Sequence, residues 1–134
     1  MANVVLQQGD LEFLETVRSA ATVLTSLKLF QNNHVPAVTD VNANYTEATF
    51  SGYLAMALGV WNLAFINPSG KGEIDANPQA FSHNGGGVAN SIYGVYVVDA
   101  TGNVMYAERF PAPVLMAALG DSITYTPRLT CQSA

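Results

Sequence analysis

The sequence predicts an all-β protein, a β-sandwich or barrel of six to seven antiparallel strands, with one short N-terminal α-helix at about residues 10–20. Three observations carry this. Apolar and polar residues alternate with a period of two through much of the chain. The stretch IYGVYVVDATGNVMYAERF, residues 92–110, reads as two apolar arms around a polar tip. Only QQGDLEFLETVRSAA, residues 7–21, carries apolar residues at helical spacing.

That helix is the first element. Asp10 is an N-cap residue type, whose carboxylate accepts an orphan N–H two or three residues on. Leu11, Leu14, Val17 and Ala21 make one stripe, with Glu12 in the first turn and Arg18 in the last, each favourable to the helix dipole. The preceding ANVVLQQ, within residues 1–8, reads equally as an extended arm or as a strand of the protein's own sheet.

After the helix the period becomes two. In SLKLF, Leu27 and Leu29 oppose Lys28. In YTEATFSGYLAM the expected inner face is Ala48, Phe50, Gly52, Leu54 and Met56; in VWNLAFI it is Trp61, Leu63 and Phe65. IYGVYVV is apolar on both faces, as a central strand covered on both sides would be. DATGN supplies turn residues, with Gly102 free to take positive φ. In SITYTPRLTC, Ile123, Tyr125, Leu129 and Cys131 face inward, and Pro127, which lacks an N–H, marks an edge, a bulge or a bend. Two long irregular stretches remain, residues 31–44 and 67–91, and loops of that length in a small domain are functional or ordered by a neighbour.

The totals fit one domain, residues 1–134, with 49% hydrophobic residues and no apolar run near the roughly 20 residues of a membrane helix. No secretory signal is read, since the first basic residue is Arg18. The lone cysteine, Cys131, makes an internal disulfide or thiolate cluster impossible and reads as a small apolar filler. Charged residues are 11%, against about 25% in an average soluble domain. A surface so poor in charge is either coated with uncharged polar groups or covered in an assembly, where charges would have to be desolvated. The net charge of −5, with five scattered basic residues, argues against nucleic-acid partners, whose phosphates demand Lys and Arg.

The sequence offers little chemistry. His34 and His83 are the only histidines, both in or beside the long loops, and Ser82 and His83 would point to opposite faces of a strand. SGKGEID lacks the spacing of a phosphate loop, because Lys71 is followed by Gly72. Glu73, Asp75 and Asn77 alternate oxygen donors, yet without the glycine and closing glutamate of an EF-hand. Asn44-Tyr45-Thr46 matches a glycosylation sequon, with no secretion signal to support its use. Tyr53, Trp61, Tyr93, Tyr96, Tyr106 and Tyr125 fall mostly on strand periodicity, which assigns them to packing. No catalytic residue, metal ligand or cofactor is expected, and the chain is not expected to be an enzyme.

Several stretches together resemble small β-rich virion structural proteins of tailed bacteriophages. LKLFQNNHVPAVTDVNANYTEATFSGY is similar to their strand, Asn-rich loop and aromatic-Gly-Tyr strand; IYGVYVVDATGNVMYAERF resembles their hairpin, and LGDSITYTPRLT their closing strand. With the MANVVL start these cover most of the chain in the same order. The resemblance implies a non-enzymatic virion protein assembled in the host cytoplasm. Within it, a capsid decoration or cement protein that binds the major capsid protein, self-associates as a trimer and stabilises neighbouring shell subunits is expected. A tail, baseplate or fibre component that binds a host receptor is the alternative. Neither nucleic acid nor membrane is an expected partner. Contact residues are expected on the arm, at Val4, Val5 and Leu6, and on the loops, at His34, Val35 and His83.

Overall fold

The structure, a computed structural model, describes residues 7–20 and 22–131. It is β-rich with one helix, as the alternation requires. Helix α1 (Gln7–Ser19) is followed by nine strands among the described residues: β1 (Ser26–Phe30), β2 (Met56–Ala57), β3 (Phe65–Ile66), β4 (Gly72–Asp75), β5 (Gln79–Ser82), β6 (Asn90–Val98), β7 (Val104–Met116), β8 (Ser122–Tyr125) and β9 (Arg128–Thr130). They form three antiparallel sheets, ordered β2-β1-β6-β7, β3-β4-β9 and β5-β8. The count exceeds six or seven because some pieces are only two residues long and because prolines divide longer ones.

The division is clearest where residues 72–82 meet residues 122–130. Asp75 pairs with Arg128, the Ala76 N–H donates to the Pro127 carbonyl at 2.9 Å, and Gln79 pairs with Tyr125. The two small sheets are thus one bent ribbon. Pro78 and Pro127 have no N–H to give, so the ladder turns there.

The β6–β7 hairpin is as expected: Asp99 to Asn103 form the tip, and Gly102 takes φ 93°. Strand β6 lies between β1 and β7 and is covered on both faces. Val95 and Val97 enter the main core with Leu27, Leu29, Phe50, Ile74 and Phe81. Tyr96 and Val98 join a second cluster with Phe30 and Tyr45 on the other face. Between the Ile92↔Val114 and Gly94↔Arg109 pairs the register shifts: one residue of β6 opposes residues 110–113 of β7. Pro111 and Pro113 fall inside that bulge on an edge strand, where a missing N–H costs no ladder bond.

Four expectations are corrected. The helix begins at Gln7, so Asp10 is not its N-cap but a first-turn residue, 2% exposed, packed against Gly72. A Cβ on Gly72 would stand 2.7 Å from the Asp10 Cβ, which is why β4 can lie so close under the helix. Gln7 and Gln8, expected in the arm, are helical, and Gln7 Nε2 donates to the Gly70 carbonyl at 2.8 Å; Val4, Val5, Leu6 and Ala21 lie outside the described residues.

The alternation expected over residues 48–56 stops at Gly52, whose φ of 94° turns the chain. Ala48 and Phe50 are buried, but Leu54 is 73% exposed. In VWNLAFI only Trp61 is inside, and Leu63 and Phe65 are exposed. The Ala64 N–H is taken by Glu15 Oε1 of the helix at 2.7 Å, and the same glutamate binds Arg18 at 2.6 Å. A side chain from α1 thus replaces a strand neighbour there. No helix of the described residues is long and apolar enough to cross a membrane.

Candidate functional site

The densest polar network holds the loop of residues 31–44 against the outer face of β6 and β7. Its centre is Asp40. Oδ2 of that residue accepts from His34 Nε2 at 2.6 Å, from the Tyr45 hydroxyl at 2.6 Å and from the Ala37 N–H at 2.9 Å. The Tyr45 hydroxyl, the Ala37 N–H and the His34 ring, in that order, hold the Asp40 carboxyl down at about 2. Burial is the main cause that pushes the Tyr45 hydroxyl above its ordinary range, so it stays a donor. The Tyr45 ring stacks on Tyr96 of β6, with centroids 5.0 Å apart, and meets His34 and Phe30 edge-on, each at 5.1 Å.

Arg109 of β7 adds a second tie. Its Nη1 donates to the His34 carbonyl at 2.8 Å and its Nη2 to Asn33 Oδ1 at 2.6 Å, while the guanidinium lies 5.3 Å over the Tyr93 ring. The asparagines stitch the rest. Asn32 Nδ2 donates to the Asn44 carbonyl, and Asn32 Oδ1 accepts from the Thr46 N–H. Pinned from below in this way, the loop turns Val35, Val38 and Val41 outward, at 69%, 105% and 60% exposed. Between the loop and β7 lies a cleft of about 320 Å³, lined by Pro36 to Val38, Asp40 and Tyr45 on one side and Val104 to Ala107 on the other.

The second long loop repeats the device. His83, expected among the contact residues, is 2% exposed and lies beneath the loop rather than on its outer face. Its Nε2 donates to the Val88 carbonyl at 2.9 Å and its Nδ1 accepts the Gly85 N–H at 2.9 Å, an arrangement that suits the neutral ring protonated at Nε2. The ring stacks on Phe50. Outside it, Val88 is half exposed, and Leu119, 76% exposed, packs against Gly85. Each histidine of the chain therefore pins a loop that presents aliphatic side chains to solvent. Ser82, the last residue of β5, is exposed while His83 is buried, and no hydrogen bond joins their side chains.

In a hydrolytic triad the carboxylate steadies one imidazole nitrogen while the other faces a nucleophile. His34 bonds Asp40 through Nε2, and among the described residues no hydroxyl or thiol bonds its Nδ1. The arrangement orients a loop. Elsewhere, Glu73 Oε1 accepts from Asn67 Nδ2 and the Thr130 hydroxyl, and Asp75 Oδ1 from Asn62 Nδ2. These two carboxylates serve separate partners. Among the described residues no three His, Cys, Asp or Glu side chains group as a metal site would need.

Of the expected contact residues, the structure brings His34 and Val35 together on the first loop and places His83 inside the second. Asp40, Tyr45 and Arg109 were missed. For Asp40 a signal existed: a carboxylate six residues after His34, across a proline turn. Arg109 offered none, because its partner lies 75 residues away. No protein-family model matches the chain, and comparisons with curated proteins and with solved structures give no match.

Proposed function

We propose that this chain is a virion structural protein of the capsid decoration or cement type, which binds the outer shell of a phage head and stabilises neighbouring capsid subunits. The observation that carries the reading is the pair of pinned loops. Each uses a histidine, a set of backbone bonds and aromatic packing to fix a segment whose outward face is aliphatic: Val35, Val38 and Val41 on one, Val88 beside Leu119 on the other. Fixing a loop before contact lowers the entropy lost on binding, and exposed apolar groups supply the area that association buries. The sparse charge of the chain, 11% of residues, lowers the desolvation cost of such contacts. Many copies on a repeating lattice multiply a modest affinity per site.

The tail or fibre reading calls for exposed aromatic side chains at the tips of these loops. The loops carry exposed valines instead, with Leu119 of the β7–β8 connection near the second, and the exposed phenylalanines, Phe13 and Phe65, sit on α1 and β3. That favours the shell.

The experiment is localisation on purified particles by cryo-electron microscopy with copy counting. Copies in the hundreds, spread over the head lattice, are the expected result. A handful at the tail would move the protein to the alternative reading, and absence from particles would end both.

A further inference from the structure

We propose that the cleft between the 31–44 loop and β7 is a socket for a lysine side chain presented by a partner protein, with Asp40 as its anion. The proposal deepens the reading above and rests on it only for the identity of the partner.

The lining decides the chemistry. Pro36, Ala37, Val38, Val104, Met105 and Ala107 are apolar, and Tyr45 and Tyr106 bring aromatic rings. Asp40 is the one ionisable carboxylate among the lining residues. Its side chain is 9% exposed, covered by its immediate neighbours although it lies at shallow depth. All three of its hydrogen bonds are made by Oδ2. Among the described residues Oδ1 has no donor, and it is not sealed off from solvent as the orphaned atoms Trp61 Nε1 and Tyr106 Oη are. A carboxylate with one oxygen fixed and the other open, set in an apolar wall, complements an ammonium on an apolar stem. Of the basic side chains tied to the loop, His34 is bonded to Oδ2 and Arg109 is committed to the His34 carbonyl, Asn33 and the Tyr93 ring, so neither occupies Oδ1.

The shape of the charge, more than the size of the cleft, selects the occupant. At about 320 Å³ the cleft is at the low end of the roughly 300–1,000 Å³ of small-molecule sites. The flexible stem of lysine packs along such a wall while its compact charge seeks one anion, whereas an arginine fork wants two acceptor oxygens side by side. Here Oδ2 is occupied. The aliphatic rim of Val38 and Met105 then closes on the stem.

The test is a titration of the free, full-length protein with n-butylammonium at pH 8, above the ordinary histidine range, read by amide chemical shifts. Butan-1-ol serves as the uncharged control. Saturable shifts are expected at Val38, Met105 and Ala107, with an affinity on the order of millimolar for so few atoms. Butanol should bind about tenfold more weakly, the worth of a charged hydrogen bond. D40N should abolish the difference between the two probes. Because that change also loosens the loop, A107L provides a second variant, which fills the cleft from β7 and leaves the Asp40 bonds in place; it should abolish the shifts. Equal binding of butanol, unchanged binding to A107L, or no saturable shift would overturn the socket. None of these outcomes depends on particles, so failure here is distinct from failure to find the protein on a capsid.

Discussion

Arg109 donates to the backbone carbonyl of His34 across 75 residues of sequence, at 2.8 Å. This bond and its companion to Asn33 Oδ1 are what fasten the first loop to the edge strand of the large sheet. Hydrogen bonds from a charged donor contribute about 1.5–3 kcal/mol each when well placed, and the part-exposed setting here puts the expected loss near the lower end. R109A should lower stability by about 1–2 kcal/mol and speed amide exchange in residues 33–40 before the rest of the chain. R109K should recover little, since an ammonium cannot present two parallel donors. Exchange rates in the loop equal to wild type in both variants would show that the loop is held by Asp40 and Tyr45 alone.

Gly94 marks a contact of the same sheet that no other residue can make. A Cβ there would stand 2.2 Å from the Glu108 carbonyl oxygen and 2.7 Å from the Phe30 ring. The neighbour is backbone on a paired strand, so it cannot give way without breaking the β6–β7 ladder. G94A should cost more than the about 1–3 kcal/mol of ordinary overpacking and push Phe30 off Tyr45 and Tyr96. Thermal or denaturant unfolding measures it. G102A, where a Cβ meets nothing within 4 Å but φ is 93°, separates conformational strain from collision and should cost only about 1 kcal/mol.

Ile123 and Leu63 test where the alternation can be trusted. Both were expected to face inward, and the structure buries Ile123 at 6% exposed while leaving Leu63 at 68%. I123D places an unpaired charge in the core and should unfold the domain. L63D should leave the melting curve within about 0.5 kcal/mol of wild type, as a surface change does. The reverse pattern would mean that the segment around residues 61–66 has the opposite face inward.

The difference between these two residues also explains what the sequence made legible. Strands β1, β6 and β8 and the hairpin tip were readable because alternation, turn residues and burial all agree locally. Residues 48–66 were not, because two tertiary events break the period: the Gly52 turn, and the capture of the Ala64 N–H by Glu15 from the helix. The bent ribbon was half readable. Pro127 announced a break, but only the pairing of Ala76 with its carbonyl shows that the break joins two sheets. At the site, His34 and His83 stood out by residue type, while their roles depended on partners that fold into place. His83 looked like a surface loop residue until Phe50 and Val88 enclosed it.

Ionisation sets limits on stability at both ends of the pH scale. Asp40 falls from an ordinary 3.8 to about 2, chiefly through the Tyr45 hydroxyl. Asp121 is lowered by the Ala117 and Ala118 N–H groups, and Asp99 first by the Thr101 hydroxyl. A carboxyl depressed by folding adds stability above its ordinary value, and that contribution is lost as pH falls from about 4 toward 2. D40N should therefore flatten part of the acid limb. The tyrosines act in the opposite sense. Burial, the first cause in each case, pushes the hydroxyls of Tyr45, Tyr53, Tyr96, Tyr106 and Tyr125 above the ordinary 10. A group raised by folding stabilises the native state fully below its unfolded value and loses that contribution as pH rises past it, so stability should fall above about pH 10. Tyrosinate absorbance should then appear together with loss of structure. Smooth titration of these tyrosines near 10 with the fold intact would contradict their burial.

The aliphatic loop faces are where a contact role is most directly tested. Val38 is fully exposed and Val88 half exposed, so neither contributes much to the protein's own core. Their replacement by serine should leave unfolding within about 0.5 kcal/mol of wild type. On a shell, each valine that becomes buried contributes up to about 1.5 kcal/mol through its apolar area, and an oligomer that repeats the contact multiplies the loss. The double variant V38S/V88S should therefore retain its melting curve and its solution mass while its occupancy on particles drops at least tenfold at equal concentration. L54S provides the comparison: Leu54 is 73% exposed but belongs to neither pinned loop, and its replacement should leave occupancy unchanged. Equal loss for both variants would mean that binding tracks total exposed apolar area, and no loss for the double variant would remove the two loops from the contact face.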